Sequence, residues 1–230
     1  MFKTPTLKSI SALSIFALSV TLGAQAYAHP DDDDKKDHIA QTFDFKGFDG
    51  IEVVGVYNMD VTVGKDFSIE ASGRAKEMNR LSVEVKNGAL VLSTDEKNKR
   101  SWRGKNNNRG IDITITLPAL NSLEITGIGN GEITGIDSER FDLDVSGIGA
   151  VELDGKCGTL NADFSGMGDL DAENLKCKEV KVDVSGMGSA SVYASEKVDA
   201  DMSGMGSIDV YGKPKTVKKD KTFMSSVDIH

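Results

Sequence analysis

Ser146-Gly147-Ile148-Gly149, Ser165-Gly166-Met167-Gly168, Ser185-Gly186-Met187-Gly188 and Ser203-Gly204-Met205-Gly206, preceded by Thr126-Gly127-Ile128-Gly129, are five copies of one tetrad. Their first glycines stand 20, 19, 20 and 18 positions apart. Around each tetrad the chain alternates apolar and polar residues with period two, the pattern of a strand with one buried face. Before the tetrads these apolar positions are Phe141, Leu143 and Val145, then Leu160, Ala162 and Phe164, then Val180, Val182 and Val184, then Val198, Ala200 and Met202. A second short run follows each tetrad, as in Val151 and Leu153 or Ile208 and Val210.

A unit of about twenty residues with two short strands cannot bury its own apolar face, whereas stacking such units in parallel buries a continuous column. The sequence therefore predicts an all-β chain, a single-stranded parallel β-helix or β-solenoid with coils of about twenty residues. Equivalent positions in successive coils would lie about 4.8 Å apart. Ile128, Ile148, Met167, Met187 and Met205 are expected to form an interior column, and the serines and threonine a hydrogen-bonding column beside it. The glycines fit bends with positive φ or close backbone approach. A phosphate cradle would need a helix after the glycines, and a strand pattern follows instead.

Toward the N-terminus the pattern is less regular. Strand-like runs cover 51–56, 60–63, 81–85, 90–93 and 111–117; Asn87-Gly88 is a tight-turn signal and Pro118 a strand end. No stretch keeps a helical period. This part is expected to supply opening coils or a cap over an end that would otherwise pair with other chains. The opening Phe45-Lys46-Gly47-Phe48-Asp49-Gly50-Ile51-Glu52-Val53, the Asn87-Gly88-Ala89-Leu90 turn and the strand ending Leu117-Pro118-Ala119-Leu120 precede the Gly-x-Gly repeats. Together they resemble the head GIN domain family of putative autotransporter adhesins over residues 43–212. That resemblance implies a β-solenoid in exported bacterial proteins and no established activity.

The first 28 residues read as a signal peptide. Lys3 and Lys8 precede an apolar stretch from Ile10 to Leu22, and Ala26-Tyr27-Ala28 supplies a small-x-small cleavage site. That stretch is shorter than the roughly 20 residues needed to span a bilayer, and no later segment is a candidate helix span. Residues 29–42, acidic at first, read as a disordered tether, 43–212 as the solenoid domain and 213–230 as a C-terminal cap or tail. Loss of the leader, with its two lysines and no acid, takes the formal charge from −9 to −11. So acidic a balance argues against nucleic acid or anionic membrane as the main partner. The expected location is the periplasm or the cell surface.

Histidine is confined to His29, His38 and His230, so no Ser-His-Asp or Cys-His arrangement and no histidine metal cluster can form within the repeats. An N-terminal His29 could bind copper, but it stands in a plain acidic tail. Cys157 and Cys177 both lie nine residues before a tetrad glycine, hence at one position in adjacent coils. A spacing of about 4.8 Å suits a disulfide in an oxidising envelope, with a reactive thiol pair as the other reading. An outward acid column runs through Glu124, Asp144, Asp163, Asp183 and Asp201. Two readings stand for it: a solvated face, or a calcium ladder on Asp144, Asp163, Asp183 and Asp201. Between Asp95 and Gly110, Arg100, Arg103, Lys105 and Arg109 surround the only tryptophan, Trp102. This is either a polar insertion or a surface for an anionic glycan or headgroup. The expected function is a non-catalytic envelope module, structural or adhesion-type, with a glycan, a surface polymer or an envelope protein as partner. The alternatives are a carbohydrate-active enzyme using face carboxylates and a calcium-stabilised structural protein.

Overall fold

Alternating polarity over most of the sequence leaves one face of an extended chain to bury, and the computed structural model, which describes residues 37–94 and 110–230, is extended nearly throughout. The strands are β1 (His38–Phe43), β2 (Gly50–Val63), β3 (Ser68–Arg74), β4 (Leu81–Lys86), β5 (Ala89–Thr94), β6 (Ile111–Leu117), β7 (Ser122–Met202), β8 (Met205–Tyr211), β9 (Thr216–Lys221) and β10 (Ser225–Ile229). A single helical turn, α1 (Ala75–Met78), interrupts them. The ten strands form one mixed sheet.

β7 keeps its strand pairing without a break over 81 residues, which laid straight would reach about 270 Å. It instead returns beside itself. Met187 pairs in parallel with Met205, and Lys197 with Thr216. Within β7, Asn130 accepts a hydrogen bond from the Ala150 amide at 3.1 Å, and the Ser165 and Ser185 hydroxyls meet at 3.0 Å. Lys156 pairs with Asp137 at 3.1 Å and Lys197 with Glu179 at 3.7 Å. Each contact joins equivalent positions of neighbouring repeats. The expected disulfide is one more: Cys157 and Cys177 are bonded, with Cα atoms 4.5 Å apart.

Backbone proximity explains the tetrad glycines. At Gly127 φ is +142°, and a Cβ there would meet the Gly55 carbonyl of the strand alongside. Gly147, Gly166, Gly186 and Gly204 likewise each face the backbone of the preceding tetrad's first glycine. These glycines take the inward-facing slots of the alternation. Ile125, Gly131 and Ile133 around the first tetrad are buried, so parity runs straight through it.

That parity overturns one expectation. Ile128, Ile148, Met167, Met187 and Met205 are 42–47% exposed and form an outward column, not an interior one. The core belongs to the residues before and after the tetrads, among them Phe141, Leu153, Phe164, Val192 and Val210.

The N-terminal part closes one end of the stack by other means. β2 pairs in parallel with β7 on one side and with β5 and β6 on the other. β6 then carries β3 and β3 carries β1, both antiparallel. The β4–β5 hairpin turns at Asn87 (φ 52°) and Gly88 (φ 83°), as the Asn-Gly signal predicts. β1 takes in residues 38–42, which the sequence assigned to a disordered tether; pairing with β3 satisfies their backbone. At the far end β9 and β10 continue the parallel register through the segment expected as cap or tail. β9 is exposed throughout and carries Lys218, Lys219 and Lys221, charges that discourage edge-to-edge pairing.

Candidate functional site

The outward-facing positions carry the chemistry, because no charged side chain is buried among the described residues. Register places three columns on this exterior. The middle one is the exposed apolar ladder, begun by half-buried Val56, which pairs with Ile128. Its rungs Ile148, Met167, Met187 and Met205 follow one per repeat. Met224, 64% exposed, comes just before Ser225, the partner of Gly206.

Four residues before each rung stands an acid. Glu52 pairs with Glu124; Asp144, Asp163 and Asp183 follow, and Asp201 pairs with Asp220. This is the predicted acid column, extended by one member at each end. Four residues after each rung stands a second acid column that the sequence reading missed. Asp60 pairs with Glu132, and Glu152, Asp171, Asp209 and its partner Asp228 continue it, with Ser191 as its single neutral step. Its signal in the sequence is the acid five places past the first glycine of four tetrads, at Glu132, Glu152, Asp171 and Asp209.

Each acid column borders a groove. Glu52, Glu124, Asp144, Asp163 and Asp183, with Asn161 and Lys181, line one of about 380 Å³. Asp60, Glu132, Glu152 and Asp171 line another of about 280 Å³. Stacked carboxylates disfavour their shared ionisation. Partial burial, then Glu52 and Asp144, raise the Glu124 pKa. Partial burial, then Asp163, do the same to Asp144. Asp183 is raised by partial burial, then by Asp201 and Asp163, with Lys181 opposing. Asp142, just outside the column, is lowered because Arg140 and Asn161 donate to it.

Among the described residues no group of three or more His, Cys, Asp or Glu side chains is arranged to hold a metal ion. Glu124, Asp144, Asp163, Asp183 and Asp201 are thus brought into register as a ladder rather than gathered into a cage. Trp102, Arg100, Arg103, Lys105 and Arg109 lie outside the described residues. The strands that flank their segment are placed, however. β5 pairs with β2 as far as Val54, and β6 resumes the pairing at Tyr57. The described residues Thr94 and Gly110 therefore lie beside Gly55 and Val56, next to the first rung of the apolar ladder.

Comparison with known proteins agrees with this architecture. A solved structure described as a putative adhesin from Bacteroides fragilis superposes with a TM-score of 0.66 at 25% identity, covering 85% of this chain and 98% of its own. Two others are more distant. One is described as a putative lipid binding protein from Parabacteroides distasonis, with a TM-score of 0.46, 18% identity and coverage of 84% and 97%. The other is a putative cell adhesion protein from Clostridium sporogenes, with a TM-score of 0.43, 17% identity and the same coverage. No curated protein matches the sequence. The family model described as putative auto-transporter adhesin, head GIN domain, matches residues 47–214. The chain belongs to the head GIN domain family.

Proposed function

We propose that the protein is an exported, non-catalytic binding module of the bacterial envelope, wound as a parallel β-solenoid with coils of about twenty residues. The observation that carries this reading is the register. The same outward chemistry repeats in repeat after repeat, which makes a long displayed surface rather than one convergent pocket. The adhesin-type family and the Bacteroides fragilis neighbour support it. So does the leader pattern, as does a disulfide suited to an oxidising compartment. No helix among the described residues is long and apolar enough to cross a membrane.

The partner in this reading is an envelope glycan, surface polymer or envelope protein. Trp102 with Arg100, Arg103, Lys105 and Arg109 is one contact surface for it. Co-sedimentation of the mature protein with purified cell walls and outer-membrane vesicles tests the proposal. Saturable binding is expected, weakened by deletion of Lys97–Arg109; no binding by the intact protein would overturn it. The acid groove beside Glu124 and Asp144, with its raised carboxyl pKa values, favours a second reading as a polysaccharide-cleaving enzyme. Polysaccharide turnover abolished by Glu124→Gln would establish that reading instead.

A further inference from the structure

The apolar ladder has no internal role. Its side chains point outward, away from the core, yet it runs unbroken from Val56 to Met205. Those five inter-strand steps span about 24 Å. Phe223 (101% exposed) and Met224 stand at its far end. A continuous apolar strip of this kind on a soluble protein usually marks an interaction surface.

The columns beside it identify the partner's chemistry. An acid column runs along each side, four residues away, which is at most about 13 Å along extended chain. The positions between ladder and acids hold serine, threonine, asparagine, alanine, valine and aspartate, with no lysine or arginine. A second copy of this chain laid face to face would bring acid column against acid column, and an anionic lipid surface would be repelled in the same way. The complementary object has an apolar centre and positive charge along both edges. An α-helix about 10–12 Å wide fits between the two acid columns, and its apolar stripe, recurring about every 5.4 Å, lies close to the rung spacing of about 4.8 Å. Lysine or arginine side chains at its borders reach sideways to the carboxylates.

We infer that the Ile/Met ladder with its two flanking acid columns is a docking surface for a basic amphipathic helix of about sixteen residues, roughly 24 Å long. This inference deepens the binding-module reading and rests on it. Ile128, Ile148, Met167, Met187 and Met205 supply the apolar contact, the methionines adapting to differently shaped partners. The carboxylates supply orientation and a salt-sensitive association rate.

The test is fluorescence anisotropy of a labelled sixteen-residue Leu/Lys peptide, apolar at i, i+3, i+4 and i+7, with the mature protein. A scrambled peptide of equal composition is the control. Expected are saturable binding, at least tenfold weaker binding of the scrambled peptide, and an equal loss in the triple variant Ile148→Gln, Met167→Gln, Met187→Gln. A second variant, Asp163→Asn, Asp183→Asn, Glu152→Gln, Asp171→Asn, is expected to bind severalfold more weakly and with less salt dependence. Because all the changed positions lie on the exterior, circular dichroism should match the parent. Undiminished binding by the triple variant, or equal binding of both peptides, would reduce the effect to charge attraction and overturn the inference. Ladder-dependent binding to phosphatidylcholine vesicles without binding to the peptide would overturn it in favour of a lipid surface. A protein that sediments with cell walls but ignores the peptide overturns this inference alone; one that does neither overturns the binding-module reading as well.

Discussion

Residues 122–229 and residues 38–117 reach the same sheet by different routes. In the first region β7 runs for 81 residues, and the tetrad, the core positions and the outward acids recur from repeat to repeat. In the second, three antiparallel pairings, an Asn-Gly turn and one helical turn stand in place of repetition. Phe48 and Phe67 also pack there, with ring centroids 4.9 Å apart. Repetition makes the register dense with backbone contacts, so a fault at one glycine reaches its neighbours on either side. The irregular region relies more on packed side chains and turns, and its turn glycines Gly47 and Gly64 have nothing near a missing Cβ.

Glycine substitutions separate the two regions most sharply. A side chain at Gly166 would strike the Gly147 backbone carbonyl, and φ there is +158°. Gly166→Val is expected to cost more than about 3 kcal/mol. Gly64, with φ +87° and nothing near its missing Cβ, should lose only about 1–2 kcal/mol on conversion to alanine. Urea denaturation gives both numbers; equal losses would mean that the tetrad glycines are not held against neighbouring backbone.

The Cys157–Cys177 bond links two successive repeats across 20 residues. Reduction, or Cys157→Ser with Cys177→Ser, should remove about 3 kcal/mol. The loss should appear as a shift in urea midpoint with the architecture retained.

The acid columns predict a pH effect confined to the regular region. Glu124, Asp144 and Asp183 have pKa values raised in the folded protein. Such groups bind protons more readily folded than unfolded, so stability falls as pH rises through the window just above the ordinary carboxylate range. Asp183→Asn should therefore stabilise the protein at pH 7, by well under about 1 kcal/mol given solvent screening. The difference should vanish below about pH 3, well under the ordinary aspartate pKa of about 3.9, where both states are protonated. Asp142 has the opposite shift, held low by Arg140. Asp142→Asn should lower stability at pH 7, and its effect too should fade on acidification. Smallest of all is the ladder: Met187→Ser, on a side chain outside the core, should change stability by less than about 0.5 kcal/mol.

Much of this architecture is readable from residues alone. The tetrad spacing implies parallel register, and the shared offset of Cys157 and Cys177 implies their bond. The ladder's outward direction is not legible in the sequence, because the tetrad reads as a corner where parity resets. Glycine at the inward slot leaves no side chain to reveal which way the strand faces. Pairing of His38–Phe43 with Ser68–Arg74 is decided by tertiary contact, and nothing in those exposed residues announces it. β9 and β10 lack the tetrad, so their place in the stack shows only through the register of Val217 with Val198 and of Val227 with Ile208.

The central claim is that tetrads stack with glycine inward and Ile/Met outward, and methionine oxidation tests it directly. Mild hydrogen peroxide followed by peptide mass spectrometry compares Met167, Met187, Met205 and Met224 with the buried Met59, Met78 and Met202. The account predicts rapid sulfoxide formation at the first four and protection of the last three until the protein unfolds. Protection of Met187 to the same degree as Met202 would place the ladder inside and contradict it.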